Sequence, residues 1–260
     1  MPARSPLHPR LTALPLLAVL TAACGSGSKS PVSPLGPGAA ARQHVTANFI
    51  FHYTPADAAM VAPIANGAEA EHDRIVSELQ PGSMPAVNVQ YYAGFDAMRD
   101  AVRPIAGDIP AWATGLVTAA DRIHLISPAA LGVSVDRATV SVVHEFAHCV
   151  TLRVEPRSAN NPRWLWESIA LYEARQFVHP SRIPALAAGV PPTLAQLNSF
   201  DQTVVYDLGY LIGEFIVARW GTGALARLAR GHGDTVAVLG LSQPDFEREW
   251  FVFVRSRYGV

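Results

Sequence analysis

Two histidines and a glutamate stand within five consecutive residues, His144-Glu145-Phe146-Ala147-His148. On an α-helix, residues four apart lie one turn above each other on the same face, so both imidazoles can bind one metal ion. The glutamate between them points beside the metal, where a general base can take a proton from an activated water. This spacing indicates metal-assisted hydrolysis with Glu145 as the base.

The alternative is that His144 and His148 are ordinary helix-surface histidines and Glu145 a solvated charge, because so short a pattern also occurs by chance. The flanking residues 138–143 and 149–150 are apolar or small nearly all round, which predicts a buried helix. Buried histidines and a buried glutamate need partners, and one metal ion satisfies both rings at once. The surrounding sequence therefore favours the metal site.

A third ligand is expected downstream, because a catalytic zinc usually has three protein ligands and keeps a fourth position for water. The next predicted helix begins with Asn161 as N-cap and Pro162 at its first position. Glu167 lies in that helix among apolar neighbours. A lone buried glutamate more often pairs with an arginine. With the histidine pair upstream, we predict that Glu167 completes a site for one Zn²⁺ per chain.

Three segments resemble zinc metallopeptidases of the gluzincin clan, close to the small bacterial peptidase MA-like families. They are HEFAH at 144–148, WLWESIALYEA at 164–174 and YDLGYLIGEFIVARWG at 206–221. The resemblance implies zinc ligation by the two histidines and the second-helix glutamate, with the first-helix glutamate as base. These roles fall on His144, His148, Glu167 and Glu145. Ser168 stands where the family has glycine, and we expect so small a residue to preserve the helix packing.

The same resemblance implies a tyrosine that stabilises the oxyanion. Tyr206-Asp207-Leu208-Gly209 resembles the Tyr-x-x-Gly segment of aminopeptidase-like gluzincins, which makes Tyr206 a candidate catalytic residue. The alternative is a half-buried tyrosine with its hydroxyl in water. Tyr210 and His232 are further candidates for the role. Leu171 occupies the position four residues after Glu167, so a carboxylate that orients a zinc-bound histidine must come from elsewhere.

The predicted fold class is α+β, with an N-terminal mixed sheet and helices, the His144 helix at the junction and a helical C-terminal part. The resemblance implies that this fold is zincin-like. It also implies that an edge strand, for which 113–117 is the candidate, holds the substrate backbone, although an ordinary sheet edge is the alternative. Strands are expected at 45–53, 86–92, 115–117 and 122–126, and helices at 56–79, 95–102, 163–173, 201–220 and 244–258.

The N-terminus has the features of an export signal. Arg4 and Arg10 precede an apolar run over 11–23 that is too short to span a bilayer comfortably. Residues 1–24 are therefore predicted to be a signal peptide. The sequence before Cys24 resembles a bacterial lipobox, although Thr21 replaces the usual large aliphatic residue. An exported lipoprotein attached to the membrane through lipidated Cys24 and an ordinary secreted protein both remain open.

The composition indicates the organisation of the remaining chain and the class of its partner. Residues 25–43 are mostly Gly, Ser, Pro and Ala, which predicts a disordered linker, and 44–260 form the predicted metallopeptidase domain. A net charge of −1 gives no footprint for nucleic acid, so the expected partner is a peptide or protein substrate.

A tethered module that keeps zinc without turnover is the competing hypothesis. An intact Glu145 favours the enzyme, because a purely structural zinc does not need a base. Cys149 is predicted to be a small buried hydrophobe.

Overall fold

A computed structural model describes residues 42–158, 161–199 and 203–260. The predicted signal peptide and most of the predicted linker lie outside these ranges. Arg42 and Gln43, the last two residues assigned to the linker, instead belong to the first strand. Within the described part of the chain, no helix is both long and apolar enough to cross a membrane.

The N-terminal part of the described chain is a mixed sheet of five strands, which are β1 (Arg42–Val45), β2 (Phe49–Tyr53), β3 (Val87–Tyr92), β4 (Gly115–Ala119) and β5 (Arg122–Ile126). Their order in the sheet is β1-β2-β3-β5-β4. Strands β2, β3 and β5 run parallel to one another, and the two edge strands are antiparallel to their neighbours. An N-terminal mixed sheet followed by helices confirms the predicted α+β class.

The single strand predicted at 45–53 is wrong, because a hairpin turn divides this segment into β1 and β2. The Thr46 amide donates to the Phe49 carbonyl at 2.9 Å, and the Phe49 amide donates to Thr46 Oγ1 at 3.2 Å. The backbone and side-chain amides of Asn48 both donate to the Glu69 carboxylate at 2.7 Å. The apolar and polar alternation continues through the turn, so periodicity alone could not locate it.

Helices make up most of the remaining described chain. The longest is α1, preceded by a short 3₁₀ turn at Pro55–Asp57, and a second such turn lies at Pro180–Arg182. The helices are α1 (Ala58–Leu79), α2 (Phe95–Ala106), α3 (Pro128–Leu131), α4 (Val135–Val154), α5 (Arg163–Glu173), α6 (Pro184–Ala187), α7 (Leu194–Leu197), α8 (Val205–Trp220), α9 (Gly223–Arg230), α10 (Thr235–Leu239) and α11 (Gln243–Tyr258).

Helix α4 occupies the junction between the sheet and the other helices, where it contacts α1, α5, β4 and β5. Ser134 caps its N-terminus by accepting a hydrogen bond from the Arg137 amide. Helix α1 approaches α4 closely at Gly67, where a Cβ atom would lie 2.6 Å from Thr139 Cγ2. The absence of a side chain at Gly67 therefore lets the two helices pack closely.

Helix α8 packs against α5 through two glycines one turn apart. A Cβ atom on Gly209 would lie 3.2 Å from Ser168 Cα, and one on Gly213 would lie 3.0 Å from the Ser168 carbonyl oxygen. Ser168 is fully buried, and its hydroxyl donates to the Trp164 carbonyl at 2.6 Å. The serine thus fits within the close contact between the helices, because its hydroxyl turns back onto its own helix.

The N-cap of helix α5 is one residue later than predicted, because Pro162 holds that position and Arg163 is the first helical residue. Asn161 is not the N-cap and packs elsewhere. Its side-chain amide donates to the Ala229 carbonyl at 3.3 Å, and its Oδ1 lies 2.8 Å from His232 Nδ1. Tertiary contacts therefore engage the side chain that the local sequence assigned to capping.

Candidate metal centre and catalytic cavity

Three side chains converge where α4 meets α5. The Nε2 atoms of His144 and His148 are 3.2 Å apart, and Glu167 Oε2 lies 3.5 Å from the first and 3.8 Å from the second. Ligand atoms about 2.0–2.2 Å from a tetrahedral zinc are about 3.3–3.6 Å from one another. The separations are therefore close to those that one bound ion requires.

The buried polar atoms of this group support the same conclusion. Glu167 is 7% exposed and His148 is 4% exposed. Glu167 Oε2 has no hydrogen-bond partner among the described residues. Burying an unpartnered carboxylate oxygen costs free energy, and a cation between it and two imidazole nitrogens removes that cost. His144, His148 and Glu167 together could therefore hold a metal ion, as predicted from the sequence.

Each histidine of the group is oriented differently. His144 Nδ1 lies 2.6 Å from Gln176 Oε1, which directs the opposite nitrogen toward Glu167. His148 Nδ1 is buried and has no hydrogen-bond partner in the described chain. Its ring instead stacks on Trp166, with centroids 4.2 Å apart. Sequence reasoning missed Gln176 and Trp166, because neither belongs to the ligand spacing.

Burial and neighbouring charges separate the proton affinities of these groups. Burial, reinforced by the charge of His144, holds the pKa of His148 well below its usual range, which leaves a neutral ligand. Burial also opposes the charged form of His144, but the carboxylates of Glu167 and Glu145 raise its pKa above the usual range. Burial raises the pKa of Glu145 to about 7, and the Glu167 carboxylate adds to that effect. A carboxyl group with such a pKa is suited to exchange protons near neutral pH.

Glu145 faces strand β4. A Cβ atom on Gly115 would lie 2.7 Å from Glu145 Oε1 and 2.5 Å from Leu125 Cδ2. Only the absence of a side chain at position 115 lets the edge strand approach the carboxylate so closely. The edge strand and the predicted base are thus neighbours in the structure.

A cavity of about 1020 Å³ surrounds the metal-ligand group. Its lining includes Glu145, the three candidate ligands and every residue of 113–117, the candidate substrate-binding segment. Strand β4 is at the edge of the sheet, so its outer backbone groups have no strand partner among the described residues. The predicted catalytic residues and the predicted edge strand therefore share one cavity.

Tyr206 also lines this cavity, and its hydroxyl donates to Glu167 Oε1 at 3.4 Å. The Arg163 guanidinium lies 5.4 Å from the tyrosine ring centroid, and the Trp112 ring meets it edge-on at 6.0 Å. Burial, together with the Glu167 carboxylate, raises the pKa of Tyr206 well above its usual range, so the hydroxyl keeps its proton. Tyr206 is thus a proton donor beside the metal-ligand group.

The other polar candidates lie elsewhere. Tyr210 packs on Tyr172, and His232 contacts Asn161, and neither residue lines the cavity. His124, in strand β5, is hydrogen-bonded between Tyr92 and Thr118. Cys149 is fully buried, and burial raises the pKa of its thiol well above the usual range. The buried Cys149 thiol is therefore protonated.

Comparison with known protein families and curated sequences identified no relative. The chain matches no protein-family model, and no curated protein sequence matches it either. The resemblance to gluzincins therefore depends on the three sequence motifs alone.

Proposed function

We propose that the protein is a zinc-dependent peptidase with a zincin-like fold. His144, His148 and Glu167 hold the metal, and Glu145 is the general base. The convergence of three ligand atoms, all within 4.8 Å of one another, carries this proposal. Glu145 adds to it, because a buried carboxylate beside a structural metal would have no task.

The donor set favours zinc. Two imidazoles and one carboxylate are the ligands of several hydrolytic zinc enzymes, in which three protein ligands leave one position for water or substrate. Calcium and magnesium prefer sites built from oxygen atoms, so two nitrogen donors disfavour them. The cavity at the ligand group leaves room for both a water molecule and a peptide.

Glu145 moves the proton in the proposed reaction. When bound, zinc supplies a Lewis acid that lowers the pKa of a water molecule and polarises the scissile carbonyl. The Glu145 carboxylate accepts the proton of that water and later passes it to the leaving amine. The position of the carboxylate beside Gly115 puts this transfer next to the edge strand.

Tyr206 and strand β4 have supporting roles. The Tyr206 hydroxyl donates to Glu167 Oε1 beside the candidate ligands, and in the proposed reaction it would donate to the oxygen that gains negative charge during the attack. A peptide that pairs with the outer edge of β4 (Gly115–Ala119) would place its backbone across the cavity and above Glu145. Backbone pairing of this kind accepts many side chains, which suits a peptidase.

Metal analysis and peptide digestion test the proposal together. The purified protein should contain about one zinc per chain and should cleave members of an unbiased peptide library. His148→Ala should lose most of its zinc, because two ligands bind the ion poorly. Glu145→Gln should keep the zinc but lose about 10²- to 10⁴-fold in rate.

The same experiment distinguishes the proposed peptidase from the competing hypothesis. Wild-type protein that holds zinc but cleaves no peptide would favour a binding module without turnover. Full zinc occupancy in His148→Ala would refute the ligand assignment. Unchanged hydrolysis by Glu145→Gln would refute the assignment of the base.

A further inference from the structure

The acceptor for His144 Nδ1 comes from the segment that follows the ligand helix. Position 171, four residues after Glu167, holds leucine and offers no polar group. Instead, the chain turns back after α5, and Gln176 Oε1 lies 2.6 Å from His144 Nδ1. A distance this short is typical of a strong hydrogen bond.

The turn that places Gln176 is specific. Arg175 has φ of 53°, in the left-handed region that non-glycine residues adopt at a cost in free energy. Its amide donates to the Tyr172 carbonyl at 3.0 Å, and the Gln176 amide donates to the Leu171 carbonyl at 2.9 Å. These two bonds close the last turn of α5 and reverse the chain. Helix α5 therefore supplies the Glu167 ligand and, through its C-terminal turn, fixes Gln176.

We infer that Gln176 is a positioning residue that holds His144 in the tautomer with its proton on Nδ1. An amide oxygen can only accept, so the ring nitrogen facing it must donate. The lone pair of the neutral ring is then on Nε2, which faces Glu167 and His148. Gln176 provides this orientation with an uncharged group, where histidine ligands in metal sites often have a carboxylate.

This inference rests on the proposed function in one respect, namely that the metal binds at His144 Nε2. His148 has no comparable acceptor among the described residues, since its Nδ1 is unpartnered. Loss of the Gln176 acceptor should therefore affect His144 alone. The ring would then be able to change tautomer or rotate, and only one of those states has a lone pair directed at the metal.

The first experiment does not require metal. Nitrogen-15 NMR of the histidine rings in metal-free protein, at a pH high enough for the His144 ring to be neutral, reports which ring nitrogen carries the proton. Wild-type His144 should be protonated on Nδ1. In Gln176→Leu, which keeps side-chain bulk without an acceptor, the Nε2-protonated tautomer should become populated. Identical His144 tautomers in the two proteins would overturn the inference.

The second experiment measures zinc affinity by competition with a chromophoric chelator. Gln176→Leu should bind zinc about 10- to 100-fold more weakly, as is usual for the loss of a group that orients a ligand. Gln176→Glu should restore affinity, because its carboxylate also accepts from Nδ1. Loss of affinity in Gln176→Glu equal to that in Gln176→Leu would show that the position matters only for packing.

The two readouts distinguish the failure of this inference from the failure of the proposed function. Wild-type protein without zinc affinity would refute the metal site, while the tautomer comparison would still decide the role of Gln176. Zinc binding that is equally tight in wild type and Gln176→Leu would refute the positioning role and leave the metal site intact. Thermal unfolding of each variant checks that its fold is unchanged.

Discussion

The imidazole of His148 lies flat on the indole of Trp166, with ring centroids 4.2 Å apart and planes inclined by 5°. His148 Nδ1 has no hydrogen-bond partner among the described residues, so the stacked indole restrains that side of the ring in place of a hydrogen bond. The two histidines of the site are thus held by different means. A hydrogen bond orients His144, and an aromatic contact orients His148.

Trp166→Leu should weaken zinc binding without removing a ligand. A stacked aromatic pair is worth about 0.5–1.5 kcal/mol beyond its buried area, which corresponds to a loss of up to about tenfold in affinity. Trp166→Phe keeps a ring against His148 and should lose less. Chelator competition measures both variants. Equal zinc affinity in wild type and Trp166→Leu would show that the indole does not restrain the ligand.

Gly115→Ala should impair the base while sparing the metal. The new methyl group would meet Glu145 Oε1 at 2.7 Å and Leu125 Cδ2 at 2.5 Å, so the carboxylate, the leucine or the strand must move. Because general-base assistance contributes about 10²- to 10⁴-fold, a displaced carboxylate should lower the peptidase rate at least about tenfold. Zinc content should stay near wild type.

Gly94→Ala is the matched control for this variant, because nothing lies within 4 Å of a Cβ atom at position 94. It should retain wild-type activity. A fully active Gly115→Ala protein would show that the edge strand and Glu145 tolerate greater separation than the structure indicates.

The ligand group was predictable because its geometry is local. His144 and His148 are one helical turn apart, and Glu167 is a buried acid in the next helix. The residues that orient these ligands were not predictable, since Gln176 reaches His144 only after a left-handed turn at Arg175. That contact depends on how α5 ends and packs, and the periodicity of the sequence does not indicate this.

In the fold, too, features set by local sequence were predictable and features set by tertiary contacts were not. Alternation predicted strand character on both sides of the first hairpin, but not the turn at Thr46, which depends on side-chain hydrogen bonds. Asparagine is common at helix N-caps, yet the Asn161 side chain contacts Ala229 and His232 in the C-terminal part of the chain. Local propensity was overridden there by partners distant in sequence.

Tyr206→Phe should lower kcat and leave KM and zinc content nearly unchanged. The hydroxyl is a proton donor at the cavity, and its loss removes a group that would act only as negative charge develops. One such donor is worth on the order of 10²-fold in kcat. Steady-state kinetics on a cleaved peptide measure the effect.

Tyr210→Phe is the control for the tyrosine assignment, because Tyr210 packs on Tyr172 and Phe177 but does not itself line the cavity. It should keep wild-type kcat. Wild-type kcat in Tyr206→Phe would show that the oxyanion role belongs to another donor.

Glu173 is a second unusual carboxyl group, remote from the candidate ligands. Its side chain is fully buried, and its Oε2 accepts a hydrogen bond from Arg74 Nη1 at 2.7 Å. Burial raises the pKa of Glu173 from 4.5 to about 7, and the nearby carboxylate of Glu78 adds to the shift against the opposing charge of Arg74. The folded protein therefore binds a proton at Glu173 at pH values where the unfolded chain releases it.

The free energy of unfolding should fall as the pH rises from about 4.5 to about 7. In this interval the folded state binds more protons at Glu173 than the unfolded chain does, so removing protons destabilises the folded state. The contribution of Glu173 is fully present below the unfolded pKa and is lost as the pH passes through the folded pKa. A shift of this size corresponds to about 3 kcal/mol at most. Glu173→Gln cannot ionise at this position and should decline less over the same interval, because Glu145, whose pKa is also raised to about 7, still contributes. Urea unfolding of both metal-free proteins across the interval measures the difference, and parallel pH profiles would show that Glu173 is ionised in the folded state.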